Sequence, residues 1–161
     1  MEEQEFLKHI REHQGIIHKV TGLYAADPEE KKEQIQEILL QTWKSRHSFM
    51  GQSKFSTWLY RISLNTVFTA KRKKKLVDYV EEIPDEEVVL HPAIEKENAL
   101  SLQRAIRMLH ESDRAIISLH LDGYTNQEIV ELIGISQNNV AVRIHRIKLR
   151  LSKLLIPEKN G

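Results

Sequence analysis

The stretch TNQEIVELIGISQNNVAVRIHRIKLR, residues 125–150, indicates two helices joined by a short turn. Thr125 is followed three residues later by Glu128, which is the spacing of a capping box at the start of a helix. Gly134 suits the left-handed position that ends a helix, and Ser136 can cap the helix that follows. These local signals together predict a helix-turn-helix.

Polar and basic residues occupy the second helix of this pair. The start of such a helix enters the major groove when the motif binds DNA, and amide side chains there can bond adenine through two atoms. Gln137, Asn138 and Asn139 hold these positions, and cations follow further along the helix, where they can reach phosphates. The pattern favours DNA binding over an ordinary helical hairpin with a solvated cationic face.

A second basic region lies in the first half of the chain. Residues 41–75 contain nine lysines and arginines and no acidic residue, although the whole chain has a net charge of only +1. Six aromatic residues run through the same stretch. Cations bind phosphates and aromatic rings stack on unpaired bases, so this region also predicts a nucleic-acid partner.

Apolar periodicity predicts helices almost throughout. In the first half we expect a helix from about Glu3 to Tyr24, a second that starts with Asp27 as its cap, a loop from His47 to Ser53, and a third over residues 54–74. The second helix is expected to turn these residues inward: Ile35, Ile38, Leu39 and Trp43. In the second half, Ser112 is expected to cap one helix and Asp122-Gly123 to end it.

Residues 76–98 carry eight acidic residues and one basic residue. Such a segment buries little apolar surface, so it is typical of a solvated linker. We therefore predict an all-α protein with two small helical domains, residues 1–76 and 93–161, joined by a flexible acidic linker over residues 77–92.

Several functional classes are disfavoured. The chain has no cysteine, which excludes disulfides and thiolate metal sites, and it shows neither a signal peptide nor a membrane span, so we expect a cytoplasmic protein. His9 to His13 match the H-x-x-E-H zinc-peptidase pattern, but so short a pattern arises by chance and the segment looks like a simple amphipathic helix. We predict no enzyme activity, no cofactor and no metal site.

Two stretches resemble one family. Residues 33–43, EQIQEILLQTW, followed by residues 55–65, FSTWLYRISLN, are similar to region 2 of the extracytoplasmic-function (ECF) sigma factors of bacterial RNA polymerase. Residues 123–129, GYTNQEI, with residues 134–136 and 140–151, are similar to region 4 of the same family. The resemblance implies an initiation factor that recognises the −10 and −35 promoter elements and helps to open the DNA.

The resemblance also implies partners and contact residues. The implied partners are core RNA polymerase, through its β′ clamp helices and its β flap, and promoter DNA. An anti-sigma factor is a further candidate partner. The family's matching positions for polymerase docking are Glu33, Gln36 and Glu37. Those for the −10 element, including a loop that captures an unstacked base, are Phe49, Ser53, Lys54, Arg61, Asn65, Lys71, Arg72 and Lys73.

For the −35 element the resemblance implies Thr125, Ser136, Gln137, Asn138, Asn139, Arg143, Arg146, Lys148 and Arg150. The chain departs from the family here, since Asn138 and Asn139 stand where a small residue and a threonine are frequent. Ala141 and Val142 similarly replace a lysine and a serine. A stand-alone helix-turn-helix regulator, whose first half serves dimerisation or sensing, is the alternative function.

Overall fold

The structure is a computed structural model that describes residues 1–77 and 98–155, and it gives no side-chain detail for residues 73–77 and 98–100. The chain divides into two compact units, and the division falls between residues 83 and 84. Apart from Val77, which ends a helix, the predicted linker over residues 77–92 lies outside the described residues.

The described residues form helices and their connections, with no strand among them. The first unit contains α1 (Glu3–Tyr24), α2 (Pro28–Ser45), a 3-10 turn (Arg46–Ser48) and α3 (Phe55–Val77). The second unit contains α4 (Asn98–Arg107), α5 (Glu111–Leu121), α6 (Asn126–Ile133) and α7 (Gln137–Leu155). The predicted all-α class is confirmed.

The start of α2 follows from its sequence. Asp27 caps the helix by accepting a hydrogen bond from the backbone N–H of Glu30 at 2.8 Å, and Pro28 takes the first helical position, where no N–H is needed. Glu29 and Glu30 lie in the first turn, near the positive end of the helix dipole. The predicted cap and helix start are confirmed.

The core of the first unit forms where α1, α2 and α3 pack together. On α2 the buried residues are Gln34, Ile38 and Thr42, spaced four apart. Leu39 lies about 100° around the helix from Ile38 and remains 37% exposed. The prediction that Leu39 points inward is therefore wrong, because the buried stripe of α2 is narrow and runs through two polar residues.

The second unit packs α7 against α4, α5 and α6. Its helix-turn-helix has the predicted caps, since Thr125 and Glu128 form a reciprocal capping box and Gly134 ends α6 with φ of +83°. The predicted cap of α5 is wrong. That helix begins at Glu111 after His110, so Ser112 lies inside it and its hydroxyl serves another purpose.

Candidate nucleic-acid and partner interfaces

One face of α2 is acidic and exposed. Glu33, Gln36 and Glu37 are all solvent-exposed and lie three and four residues apart, so they share one side of the helix. Glu37 accepts a hydrogen bond from the side chain of Gln41 at 2.8 Å, which orients its carboxylate. Leu40 continues the same side with 43% exposure. The face thus combines negative charge with an apolar patch and suits a basic partner that also presents an apolar residue.

Sequence periodicity did not single out Leu40. Its position three residues after Glu37 and four after Gln36 was the available signal, because that spacing places it with the acidic residues and away from the buried Ile38.

A groove of about 910 Å³ runs between α2 and α3. Its α2 wall carries five carboxylates, those of Asp27, Glu29, Glu30, Glu33 and Glu37. Two residues predicted to contact DNA, Asn65 and Lys71, also line this groove. Since phosphates would be repelled by the carboxylate wall, the groove itself favours a cationic ligand.

The segment between α2 and α3 is anchored by Phe49. Its half-buried ring lies 5.6 Å from the ring of Phe55 and 5.4 Å from that of Trp58, between ring centroids. Phe55 and Trp58 are buried, so the aromatic residues at the start of α3 pack in the core of the first unit. Ser53 and Lys54 follow Phe49 and are exposed. The loop therefore presents the hydroxyl of Ser53 and the cation of Lys54 to solvent, while the ring of Phe49 anchors it to the aromatic residues of α3.

The cations of residues 41–75 differ in their surroundings. The guanidinium carbon of Arg46 lies 3.6 Å from the ring centroid of Trp43, and its Nη1 donates to the backbone carbonyl of the same residue at 2.8 Å. The Nζ of Lys71 lies 5.6 Å from the ring of the buried Tyr24. These two cations support the fold of the first unit.

Other cations of this region are open to solvent. Arg61 and Arg72 are exposed on α3, as is Lys54 just before it. The side chain of Lys73 lies outside the described residues. Lys54, Arg61 and Arg72 therefore form a basic surface at the loop and along α3, opposite in charge to the acidic face of α2.

The start of α7 presents polar side chains to solvent. Gln137, Asn138 and Asn139 are exposed, and the hydroxyl of Ser136 accepts a hydrogen bond from the backbone N–H of Asn139 at 3.4 Å. The rotation of α7 is set by its buried residues, which are Val140, Ile144, Ile147 and Leu151. The structure thus brings together the amides predicted to reach base edges.

The remaining predicted contacts in the second unit divide into two groups. Arg146, Lys148 and Arg150 are exposed on α7. Arg143 is half-buried, and its guanidinium donates to the carboxylate of Asp113 and to the hydroxyl of Ser112. The hydroxyl of Thr125 accepts from the backbone of Glu128 in the capping box, so it too has a structural role.

Two apolar residues on α7 are unexpectedly open. Val142 is 55% exposed and Leu149 is 53% exposed. Val142 follows Asn138 by four residues and Asn139 by three, so it lies on their side of the helix. A branched apolar side chain at that position can contact the methyl group of thymine in the major groove. The replacement of a family serine at this position was the signal that could have identified it.

No helix within residues 1–77 and 98–155 combines the length and apolar character needed to cross a membrane.

Comparison with known proteins assigns both units. The Sigma-70 region 2 family matches residues 9–77, and the Sigma-70 region 4 family matches residues 99–151. The ECF RNA polymerase sigma factor SigW of Bacillus subtilis is 30% identical over 135 residues, which cover 74% of this chain and 72% of that protein. The chain belongs to the ECF sigma factors.

Other relatives agree with this assignment. The sigma factor SigM of Mycobacterium tuberculosis is 25% identical over 147 residues, covering 91% of this chain and 74% of that protein. The sigma factor RpoE, solved with the anti-sigma factor NepR from Bartonella quintana, has the same fold, with a TM-score of 0.73, 21% identity and 97% coverage of both chains. CnrH, solved with the cytosolic domain of CnrY, matches with a TM-score of 0.67 and 18% identity, covering 96% of this chain and 89% of that chain.

This sigma factor is a promoter-directing transcription initiation factor whose partners are core RNA polymerase and promoter DNA. Because both sigma regions are present in one chain, a stand-alone helix-turn-helix regulator is excluded.

Proposed function

We propose that three separate surfaces of this sigma factor divide the work of initiation. The acidic face of α2 docks on core polymerase, the loop after α2 and the exposed side of α3 engage the −10 element, and the start of α7 reads the −35 element. The observation that carries the proposal is the opposite charge of two surfaces within the first unit, since Glu33 and Glu37 are exposed on α2 while Arg61 and Arg72 are exposed on α3.

Docking depends on Glu33, Gln36 and Glu37, with Leu40 as an apolar contact at the end of the face. Carboxylates suit a basic partner surface and repel DNA phosphates, so this face cannot also serve as a promoter contact. A fixed Glu37, held by Gln41, meets its partner with less loss of side-chain freedom.

At the −10 element, Ser53 and Lys54 contact the melted strand beside the Phe49 anchor, and Arg61 and Arg72 hold phosphates. Asn65 takes part from the α3 wall of the α2–α3 groove, and Lys71 adds positive charge there although its Nζ also lies over the ring of Tyr24. Exposed cations beside a fixed loop can hold a single strand with little sequence preference, while the loop supplies the selectivity.

At the −35 element, Gln137, Asn138 and Asn139 read base edges, and Val142 adds an apolar contact. Exposed Arg146, Lys148 and Arg150 bind phosphates and position the helix. Arg143 supports this surface by joining α7 to α5 through Asp113.

Co-elution of the full chain with core polymerase in size-exclusion chromatography tests the docking assignment. Glu33→Arg should abolish co-elution with core polymerase, because it places a cation in the acidic face. Glu131→Arg makes the same charge change at an exposed residue of α6 and should leave co-elution unchanged. Equal behaviour of the two variants would refute docking through α2.

The −35 assignment is tested by comparing promoters with altered −35 sequences. Asn138→Ala and Asn139→Ala should lose about 1–3 kcal/mol of discrimination at particular base pairs. Lys148→Ala should weaken all promoters alike, since a phosphate contact carries no base information. A uniform loss in all three variants would show that the amides do not read bases.

The polymerase supplies the chemistry of RNA synthesis, and we assign this chain no catalytic step of its own and place it in the cytoplasm with the polymerase. Because the solved RpoE is bound to the anti-sigma factor NepR, we also propose regulation of this chain by a protein inhibitor.

A further inference from the structure

Three side chains with metal-binding chemistry meet on α1. His9, Glu12 and His13 are three and four residues apart, so they share one side of the helix. Each can offer one ligand atom such that all three atoms lie within 4.8 Å of one another. The H-x-x-E-H pattern gave little reason to expect a metal, because short patterns occur by chance, but folding adds features that the pattern does not contain.

The first of these features is the orientation of His13. Its Nδ1 lies 2.8 Å from the backbone carbonyl oxygen of His9. A carbonyl can only accept, so Nδ1 carries a proton, and in the neutral imidazole the free lone pair is then on Nε2. A backbone carbonyl that fixes the tautomer in this way is the usual support of a metal-binding histidine.

The second feature is the state of His9. Its Nδ1 is buried and has no hydrogen-bond partner among the described residues. The other ring nitrogen, Nε2, lies 3.9 Å from a carboxylate oxygen of Glu5, and buried polar atoms are generally satisfied, so the unpaired Nδ1 needs a ligand or a local rearrangement. Exposed Glu12 can turn to complete the set.

Two imidazoles and one carboxylate form a donor set suited to Zn²⁺ and its transition-metal neighbours, and ill suited to Mg²⁺ or Ca²⁺. We propose that α1 holds one divalent transition-metal ion of the Zn²⁺ class through His9, Glu12 and His13. Three protein ligands leave a fourth position open to water or to a partner's side chain.

The site is connected to the loop between α2 and α3. The ring of His9 stacks on that of Phe55 with centroids 4.7 Å apart, and the ring of His13 lies 5.2 Å from it. Phe55 in turn contacts Phe49, the loop anchor, and Trp58 at 5.3 Å. A bound ion would fix both imidazoles against this aromatic cluster and should change the fluorescence of Trp58.

Zinc titration of the full chain without an affinity tag tests the site, with a chromophoric chelator as competitor. One Zn²⁺ per chain is expected, and Mg²⁺ should not compete. Glu12→Gln and His13→Ala should each weaken Zn²⁺ binding by at least about tenfold, since losing a direct ligand should cost no less than losing its supporting partner. His18→Ala, which removes an exposed histidine from the same helix, should bind Zn²⁺ as the wild type does.

Failure of the wild-type chain to take up Zn²⁺ would overturn the site. Wild-type affinity in either Glu12→Gln or His13→Ala would do the same, because all three ligands are required. Glu12 is exposed, so loss of affinity in Glu12→Gln cannot be ascribed to unfolding, and circular dichroism checks the fold of His13→Ala. The assay contains neither polymerase nor DNA, so its failure would leave the proposed function untouched.

Discussion

Arg143 of α7 donates a hydrogen bond from Nε to Oδ1 of Asp113 on α5, and the two atoms lie 3.0 Å apart. The same guanidinium reaches the hydroxyl of Ser112. The side chains of Arg143 and Asp113 are only 20% and 21% exposed, so water and salt screen the pair less than a surface pair. The pair therefore fixes α7, the helix proposed to read DNA, against α5, the helix that precedes the helix-turn-helix.

Removing the carboxylate should loosen this connection. We expect Asp113→Ala to lower the free energy of unfolding of the second unit by about 2 kcal/mol, because a half-buried guanidinium loses its charged partner. Urea unfolding followed by circular dichroism measures the effect, since Trp43 and Trp58, the only tryptophans, both lie in the first unit. Glu131→Ala, at an exposed carboxylate of α6, is the control and should change little.

A double-variant cycle separates the ion pair from other effects of the substitution. The combination of Asp113→Ala with Arg143→Met should be less destabilising than the sum of the single changes, because the second removes the stranded cation. Strict additivity would mean that the two residues contribute independently.

Two glycines should respond in opposite directions to alanine. Gly134 has φ of +83°, and nothing lies within 4 Å of an added Cβ, so Gly134→Ala should cost about 1–2 kcal/mol through backbone strain alone. Gly15 lies inside α1 with the same open surroundings, so Gly15→Ala should add about 0.5–1 kcal/mol. Tryptophan fluorescence follows Gly15→Ala, and circular dichroism follows Gly134→Ala. A loss of stability in both variants would contradict this account.

Gln34 is a buried polar residue in the core of the first unit. It is 6% exposed, its Nε2 donates to Glu30 at 3.2 Å, and its Oε1 is buried without a partner among the described residues. Gln34→Met keeps the length of the side chain and removes the unsatisfied oxygen, so it should raise the free energy of unfolding by about 1 kcal/mol. Tryptophan fluorescence in urea measures this change.

A matched substitution at an exposed amide of the same helix separates burial from helix propensity. Gln36 lies on the opposite side of α2 from Gln34 and is open to solvent, so Gln36→Met should change the free energy of unfolding by less than about 0.5 kcal/mol. Destabilisation by Gln34→Met would mean that its oxygen is satisfied in solution.

The sequence predicted what depends on neighbouring residues. The cap at Asp27, the capping box of Thr125 and Glu128, and the left-handed Gly134 all act over three or four residues, and the structure confirms each of them. The same local reasoning chose Ser112 as a cap and was wrong, because α5 starts earlier and Ser112 is used by a residue far along the chain.

Features that depend on packing between helices were not predictable in this way. The hydrogen bond between Arg143 and Asp113 joins residues thirty positions apart, so no local sequence pattern predicts it. The exposure of Leu39 likewise depends on which side of α2 meets α1 and α3. That side could not be recognised from apolar periodicity, because one of its buried residues is the polar Gln34. The family resemblance predicted candidate surfaces, whereas only the contacts in the structure separate the cations that support the fold from those open to solvent.

Phe49 should act as the anchor of the loop between α2 and α3 rather than as a free contact for a base. Phe49→Ala removes its contacts with Phe55 and Trp58, so we expect a loss of about 1–2 kcal/mol in the first unit and a shift in the emission of Trp58. Promoter opening, followed by permanganate reactivity of melted thymines, should fall while binding to core polymerase persists.

Met50 provides the matched control, because it is the next residue in the loop and is 78% exposed. Met50→Ala should leave both the stability and the emission of Trp58 unchanged, so any effect on promoter opening would report a direct DNA contact. If Phe49→Ala reduced opening with no change in stability or emission, Phe49 would contact DNA itself, since a residue that only supports the loop must disturb the ring cluster on which it rests.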